Sequence, residues 1–170
     1  MTISIRPATL TDAPLLSQLA PKIYREHFAH LWHSVEEMSA YLESEYSEPA
    51  LSISLKDPAV CWFVAHCDSP IGFAKLTRES AIPETNLSGV ILNKLYLNPR
   101  MTGKHYGSVI FEHLVREAKA QGETFFWLEV LEQNPRARKF YEQQGMQFIK
   151  NQIFKTDSQQ SIIHIMGMDI

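Results

Sequence analysis

The chain has 170 residues, 45% of them hydrophobic, which suffices to bury one core and makes a single domain over 1–170 the expectation. A formal net charge of −3, with basic residues scattered rather than striped, excludes an electrostatic footprint for nucleic acid. No apolar run approaches the roughly 20 residues that span a bilayer, and "MTISIRPATL" lacks an export-signal layout, so no membrane partner and a cytoplasmic location are expected.

"ISIRPAT" (3–9) alternates apolar and polar positions and reads as a strand. "TDAPLLSQLAPKIY" follows, with Thr11 or Asp12 placed to cap a helix. Residues 24–47 read as a second helical region, rich in aromatics and broken near Ser34, which forms a capping-box pattern with Glu37. "AVCWFVAHC" (59–67) and "PIGFAKLTRE" (70–79) are strands joined by Asp68-Ser69, a hairpin signal. Cys61 and Cys67 sit six residues apart on the first of these. That is about 20 Å of strand, beyond the roughly 7 Å Cα limit of a disulfide, so both read as reduced, inert thiols.

"SGVILNKLYL" (88–97) is the next strand. Beyond it, Ile110, Phe111, Leu114, Val115 and Ala118 share one face of a helix over 107–121, which Gly122 is suited to stop. "TFFWLEVL" (124–131) is almost continuously apolar, the pattern of a strand buried on both sides. Asn134-Pro135 opens another helix and Gly145 ends it; "MQFIK" and "SIIHIMGMDI" close the chain as a strand pair. The order β-α-α-β-β-β-α-β-α-β-β belongs to a mixed α/β domain.

The chemistry concentrates in "LYLNPRMTGKHYGS" (95–108), a strand, a glycine-bearing basic turn and a helix start. It matches neither a nucleotide-hydrolase loop nor a dinucleotide fingerprint. What remains is a helix N-terminus with unpaired amides and the positive end of a dipole, able to hold a diphosphate. The plainer reading, a strand-to-helix turn that happens to carry two glycines, is equally open on this stretch alone.

With "WLEVLEQNPRARKFYEQQGM" (127–146), the loop resembles the Gcn5-related N-acetyltransferase (GNAT) family. The family loop is written [QR]-x-x-G-x-[GA]. Here it is Thr102, Gly103, Lys104, His105, Tyr106, Gly107, with Thr102 in place of Gln or Arg and His105 in place of the first motif glycine. The second segment matches at Asn134, Ala137, Phe140, Tyr141 and Gly145, with Met146 for the usual Phe. "IRPAT", "IGFAKL" and "KLYLNP" extend the resemblance over nearly the whole chain, and "YREHFAHLW…MSAYLESEYS" with "IFKTDSQQSIIHIMGM" looks most like the bacterial spermidine/spermine N-acetyltransferases.

The resemblance implies a mostly antiparallel mixed sheet, flanked by helices and splayed between its fourth and fifth strands (88–97 and 124–131). It implies acetyl-CoA as co-substrate and no metal. Main-chain groups of Leu95, Tyr96 and Leu97 would pair with the pantetheine, residues Thr102 to Ser108 would hold the diphosphate, and Asn134 would bond the pantetheine arm. A primary amine (a polyamine, another small amine or a peptide amine) would attack the thioester directly; the oligomeric state, a homodimer included, stays open.

Tyr141 would protonate the departing thiolate; otherwise it is a helix aromatic packed on the sheet. Glu129, a carboxylate in an apolar strand, would be the base, or merely a hydrogen-bonded strand residue; a water relay would need no dedicated base. Asn93 and Lys94 stand where many relatives carry a strand Glu. Tyr24, Phe28 and Tyr41, with Trp32, would line the acceptor pocket, unless they are core aromatics at helical spacing. Glu26, Glu43 and Glu45 would attract an amine or simply solvate a helix face. His27, His30 and His33 diverge around a helix and read as rim or surface groups rather than metal ligands. Two further readings stay open: a CoA-binding regulatory module without turnover, and an interaction domain with no CoA site.

Overall fold

The computed structural model describes residues 2–170. Seven strands, β1 (Ser4–Pro7), β2 (Val60–Cys67), β3 (Ser69–Ala81), β4 (Ser88–Leu97), β5 (Phe125–Leu131), β6 (Gln147–Lys155) and β7 (Gln160–Asp169), line up as β1-β2-β3-β4-β5-β7-β6. Every neighbouring pair is antiparallel except β4 and β5. Five helices pack on the sheet: α1 (Ala13–Phe28), α2 (Val35–Tyr46), α3 (Glu48–Lys56), α4 (Tyr106–Ala120) and α5 (Pro135–Gln143). The mixed α/β architecture expected of the sequence is the one observed.

Two helical boundaries differ from the sequence reading. α1 does not end near Tyr24; it continues through Pro21 to Phe28, because Leu16, Ala20, Ile23 and Tyr24 bury one continuous stripe against the sheet. The break does fall before Ser34, whose Oγ accepts from the Glu37 amide at 3.2 Å. The second half of the capping box is missing, since the Glu37 carboxylate turns instead to residues 156 and 158. α3 was not anticipated. Its apolar positions Leu51, Ile53 and Leu55 alternate like a strand, yet only Leu51 is buried, and Ser47 caps the helix by accepting from Ala50 N.

The faces of the sheet carry separate cores. α1, α2 and α3 cover Trp62, Val64 and Phe73 on one face. α4 and α5 cover Phe63, Phe126, Leu128 and Met166 on the other. At the closed end of the β4–β5 junction the backbones approach so closely that a Cβ on Gly89 would collide with the Phe125 carbonyl. Parallel pairing holds only for Val90–Phe126, Ile91–Trp127 and Leu92–Leu128.

A bulge then bends β4 away. Lys75 pairs with Lys94 but Leu76 with Leu92, so Asn93 is the extra residue on β4. The insertion also resets the side-chain alternation. Val90 and Leu92 face the α4 side before it; Leu95 and Leu97 face that side after it, which turns Lys94 and Tyr96 toward α1 and α2.

Candidate active site

Beyond Leu92 and Leu128 the two strands diverge and leave a cleft of about 770 Å³ that passes through the sheet. Leu95, Tyr96 and Leu97 form one wall. Thr102, Gly103, His105, Gly107 and Ser108 form its end on the α4 face, and Asn134 and Tyr141 close it from α5. Lys104 and Tyr106 do not line it. Lys104 is exposed, and the Tyr106 phenol lies 3.9 Å from Cys67 Sγ.

The start of α4 is built to leave donors open. Gly103 and His105 both adopt left-handed conformations (φ 75° and 65°), which fold the loop under the helix. His105 is the helix-capping position, and no side chain caps it. The first amide to bond within the turn is Val109 N, to His105 O at 3.2 Å, so the amides of Tyr106, Gly107 and Ser108 have no acceptor in the helix. No acidic residue occupies the first turn, leaving the positive end of the dipole uncompensated. The family glycine at His105 thereby finds its physical reason: the position needs a positive φ, which costs a side-chain residue about 1 kcal/mol. At Gly107 an added Cβ would touch the Phe140 ring at 3.4 Å, so bulk there presses on the α4–α5 aromatic stack rather than into the cleft.

Arg136 and Lys139, one helical turn apart on α5, also line the cleft and add positive charge beside this helix end. Sequence reasoning passed over them, though their i, i+3 spacing after Pro135 was the available signal. Asn134 caps α5 through Oδ1, which accepts from Ala137 N at 3.2 Å, so its amide NH₂ is the part left to bond a ligand.

Tyr141 rests on Phe140 and Phe111, with ring centroids 5.2 and 5.9 Å away, and desolvation raises its phenol well above the ordinary value. Among the described residues its hydroxyl bonds no protein group, and it opens into the cleft. Glu129 is the single exposed residue of β5, because the splay opens the sheet at that point. Its carboxyl faces the cleft yet is walled in on its other sides, and this desolvation raises its pKa.

The aromatics of α1 and α2 separate into two roles. Phe28 lines the cleft; Tyr24 and Tyr41 stand behind it, with Tyr24 centroids 4.9 Å from Phe28 and 5.4 Å from Tyr41. Trp32 Nε1 donates to the Tyr24 hydroxyl at 3.1 Å. Glu45 is not a solvated face residue: it accepts from Lys94 Nζ at 2.7 Å, and Lys94 is only 5% exposed. Desolvation pushes the Glu45 carboxyl up and Lys94 more than offsets this, leaving it below the ordinary value. His27 Nε2 donates to the Leu97 carbonyl at 2.6 Å, a contact no sequence pattern signalled. Among the described residues no group of three His, Cys, Asp or Glu could hold a metal, and no helix is long and apolar enough to cross a membrane.

Residues 23–146 match the acetyltransferase (GNAT) family. Among solved structures, the chain resembles the PaiA N-acetyltransferase of Thermoplasma acidophilum in complex with coenzyme A (23% identity, 100% of both chains, TM-score 0.74). It also resembles an N-acetyltransferase from Staphylococcus aureus Mu50 (14% identity, 99% of this chain and 98% of that one, TM-score 0.76). A third is the ribosomal-protein-S18-alanine N-acetyltransferase of Escherichia coli (19% identity, 99% and 94%, TM-score 0.68). At these identities the likeness is one of fold.

Proposed function

Because the chain belongs to the GNAT family of acetyltransferases, we propose that it transfers the acetyl group of acetyl-CoA to the nitrogen of a primary amine by direct attack in a ternary complex. The observation that carries this reading is the uncapped α4 N-terminus facing a cleft that continues between β4 and β5. The amides of residues 106–108 hold the diphosphate, with Arg136 and Lys139 beside them. The β4 edge from Leu95 to Leu97 and the amide of Asn134 hold the pantetheine. The thioester carbonyl then lies in the splay, with Glu129 and the α1–α2 face on the acceptor side.

Acetyl-CoA supplies an activated acyl group whose C–S bond breaks as the N–C bond forms. An alkylamine with a pKa of about 10.4 arrives protonated and must lose a proton first. Glu129, with a carboxyl raised toward neutrality, receives it. Tyr141, kept protonated by desolvation, donates to the sulfur as negative charge develops there. Holding both reactants in one cleft supplies the remaining acceleration.

The acceptor class is tested by incubating the protein with acetyl-CoA and a panel of polyamines, aminoglycosides, amino acids and peptide N-termini, following release of the thiol. Polyamines head the panel because residues 24–47 and 153–168 look most like the spermidine/spermine branch. Acetyl-CoA raises the melting temperature and at least one amine gives turnover. A melting shift without turnover on any amine would make the protein a CoA-binding regulatory module. No shift at all would remove the CoA site.

A further inference from the structure

We infer that His27 sets how deeply the acyl-bearing arm of the cofactor enters the cleft, by occupying the Leu97 carbonyl and leaving the Leu95 carbonyl to receive the arm; the inference rests on the acetyl-transfer reading above. The ladder between β3 and β4 decides which main-chain groups of β4 are open. Asn98 N donates to Ile71 O at 2.7 Å, and Leu97 stands opposite Gly72. Successive residues of an antiparallel strand turn their main-chain groups to one edge and then the other. Asn98 and Tyr96 therefore face β3, while the N–H and C=O groups of Leu95 and Leu97 face away from it. On that side β5 pairs no further than Leu92, so these groups open into the cleft.

His27 closes one of them. α1 runs on to Phe28 and brings the imidazole to the cleft wall, half-buried beside the Phe28 ring at 5.8 Å. Its Nε2 lies 2.6 Å from Leu97 O. A carbonyl only accepts, so Nε2 carries the proton. The ring donates in this way whether Nδ1 is bare or protonated, so the bond does not depend on its charge.

The pantetheine arm carries amide groups and lies along this edge as an added strand would, which requires a carbonyl for an arm N–H. With Leu97 O filled, Leu95 O is the acceptor left between Lys94 and Leu97. The competing register lies two residues away, about 7 Å toward the α4 end. A diphosphate fixed at residues 106–108 does not prevent that slip, because the rotatable bonds of the arm take up the slack. In the slipped register the thioester is drawn back from the splay and from Glu129. His27 is thus a positioning residue, which removes an unproductive pose rather than adding affinity.

The test compares the unaltered protein with His27→Ala and with His27→Gln, whose amide N–H replaces that of Nε2 but takes up no proton. Calorimetric titration with CoA gives Kd, and the panel amine acetylated fastest gives kcat. His27→Ala keeps Kd within about threefold and lowers kcat about tenfold, the bias of roughly one hydrogen bond between two poses. His27→Gln restores kcat with the pH profile of the unaltered protein, which a proton-accepting role for His27 would not allow. In crystals with CoA the arm nitrogen lies about 3 Å from Leu95 O in the unaltered and glutamine proteins, and moves to Leu97 O in the alanine variant. The crystal comparison needs no acceptor, so it decides the inference even if no panel amine is acetylated. His27→Ser, also too short to reach Leu97, replaces the alanine variant if that variant unfolds. An unchanged kcat without the imidazole, a loss that glutamine does not restore, or an arm that stays on Leu95 O without His27 would overturn the inference. If the unaltered protein binds no CoA, the acetyl-transfer reading falls and takes this inference with it.

Discussion

Tyr141 and Glu129 approach the cleft from opposite faces of the sheet, and desolvation moves both pKa values upward. The consequences are opposite. The phenol is held in its donor form throughout the neutral range, while the carboxyl is brought closer to the pH at which a base is useful. With Glu129 as base, kcat/KM rises as pH climbs through a value above the ordinary carboxylate one, about 4.3. Glu129→Gln removes that inflection, and the rate then rises until the free amine deprotonates near about pH 10. Tyr141→Phe lowers kcat by roughly a hundredfold while acetyl-CoA affinity stays nearly constant. An unchanged profile or an unchanged kcat in steady-state kinetics would remove the corresponding role. Both residues were legible in the sequence, one from a motif and the other from a charge standing in an apolar run. Lys94 and His27 were not, because their partners, Glu45 and Leu97, lie 49 and 70 positions away.

β4 is the element on which the site turns. A single inserted residue, Asn93, bends it from β5 and places Lys94 on the α2 side, where Glu45 and the Tyr41 and Tyr46 rings receive the ammonium. Glu45→Ala leaves a 5% exposed ammonium without its carboxylate. Because Glu45 itself is 35% exposed, the loss is about 2 kcal/mol, below that of a fully buried pair. Lys94→Met, which removes the charge with its need for a partner, costs under about 1 kcal/mol. Urea denaturation of both variants measures this, and equal losses would contradict it. The strands, α4 and α5 were readable from periodicity and their glycine, Pro and Asn punctuation. A bulge has no such signature, since "GVILNKLYL" reads as unbroken strand. α3 was hidden by an alternation of Leu51, Ile53 and Leu55, which in fact are buried in the core, exposed to solvent and half-buried in turn.

Across the whole molecule the two faces of the sheet divide the work. The α4–α5 face presents the open helix end, Arg136, Lys139 and Tyr141; the α1–α2 face presents Glu129, His27 and Phe28. The cleft between β4 and β5 is the passage connecting them. Apart from α3, the order of elements was readable in the chain, and so was the strand-turn-helix that ends the cleft. The contacts between residues 29–37 and the turn joining β6 to β7 were not, because Glu37 and Gln159 make them across more than a hundred residues of sequence. The most direct measurement of the account is a crystal structure with coenzyme A bound. It predicts diphosphate oxygens about 3 Å from the amide nitrogens of residues 106–108, with the pantetheine running along Leu95–Leu97. A diphosphate seated elsewhere, with those amides facing only water, would contradict it.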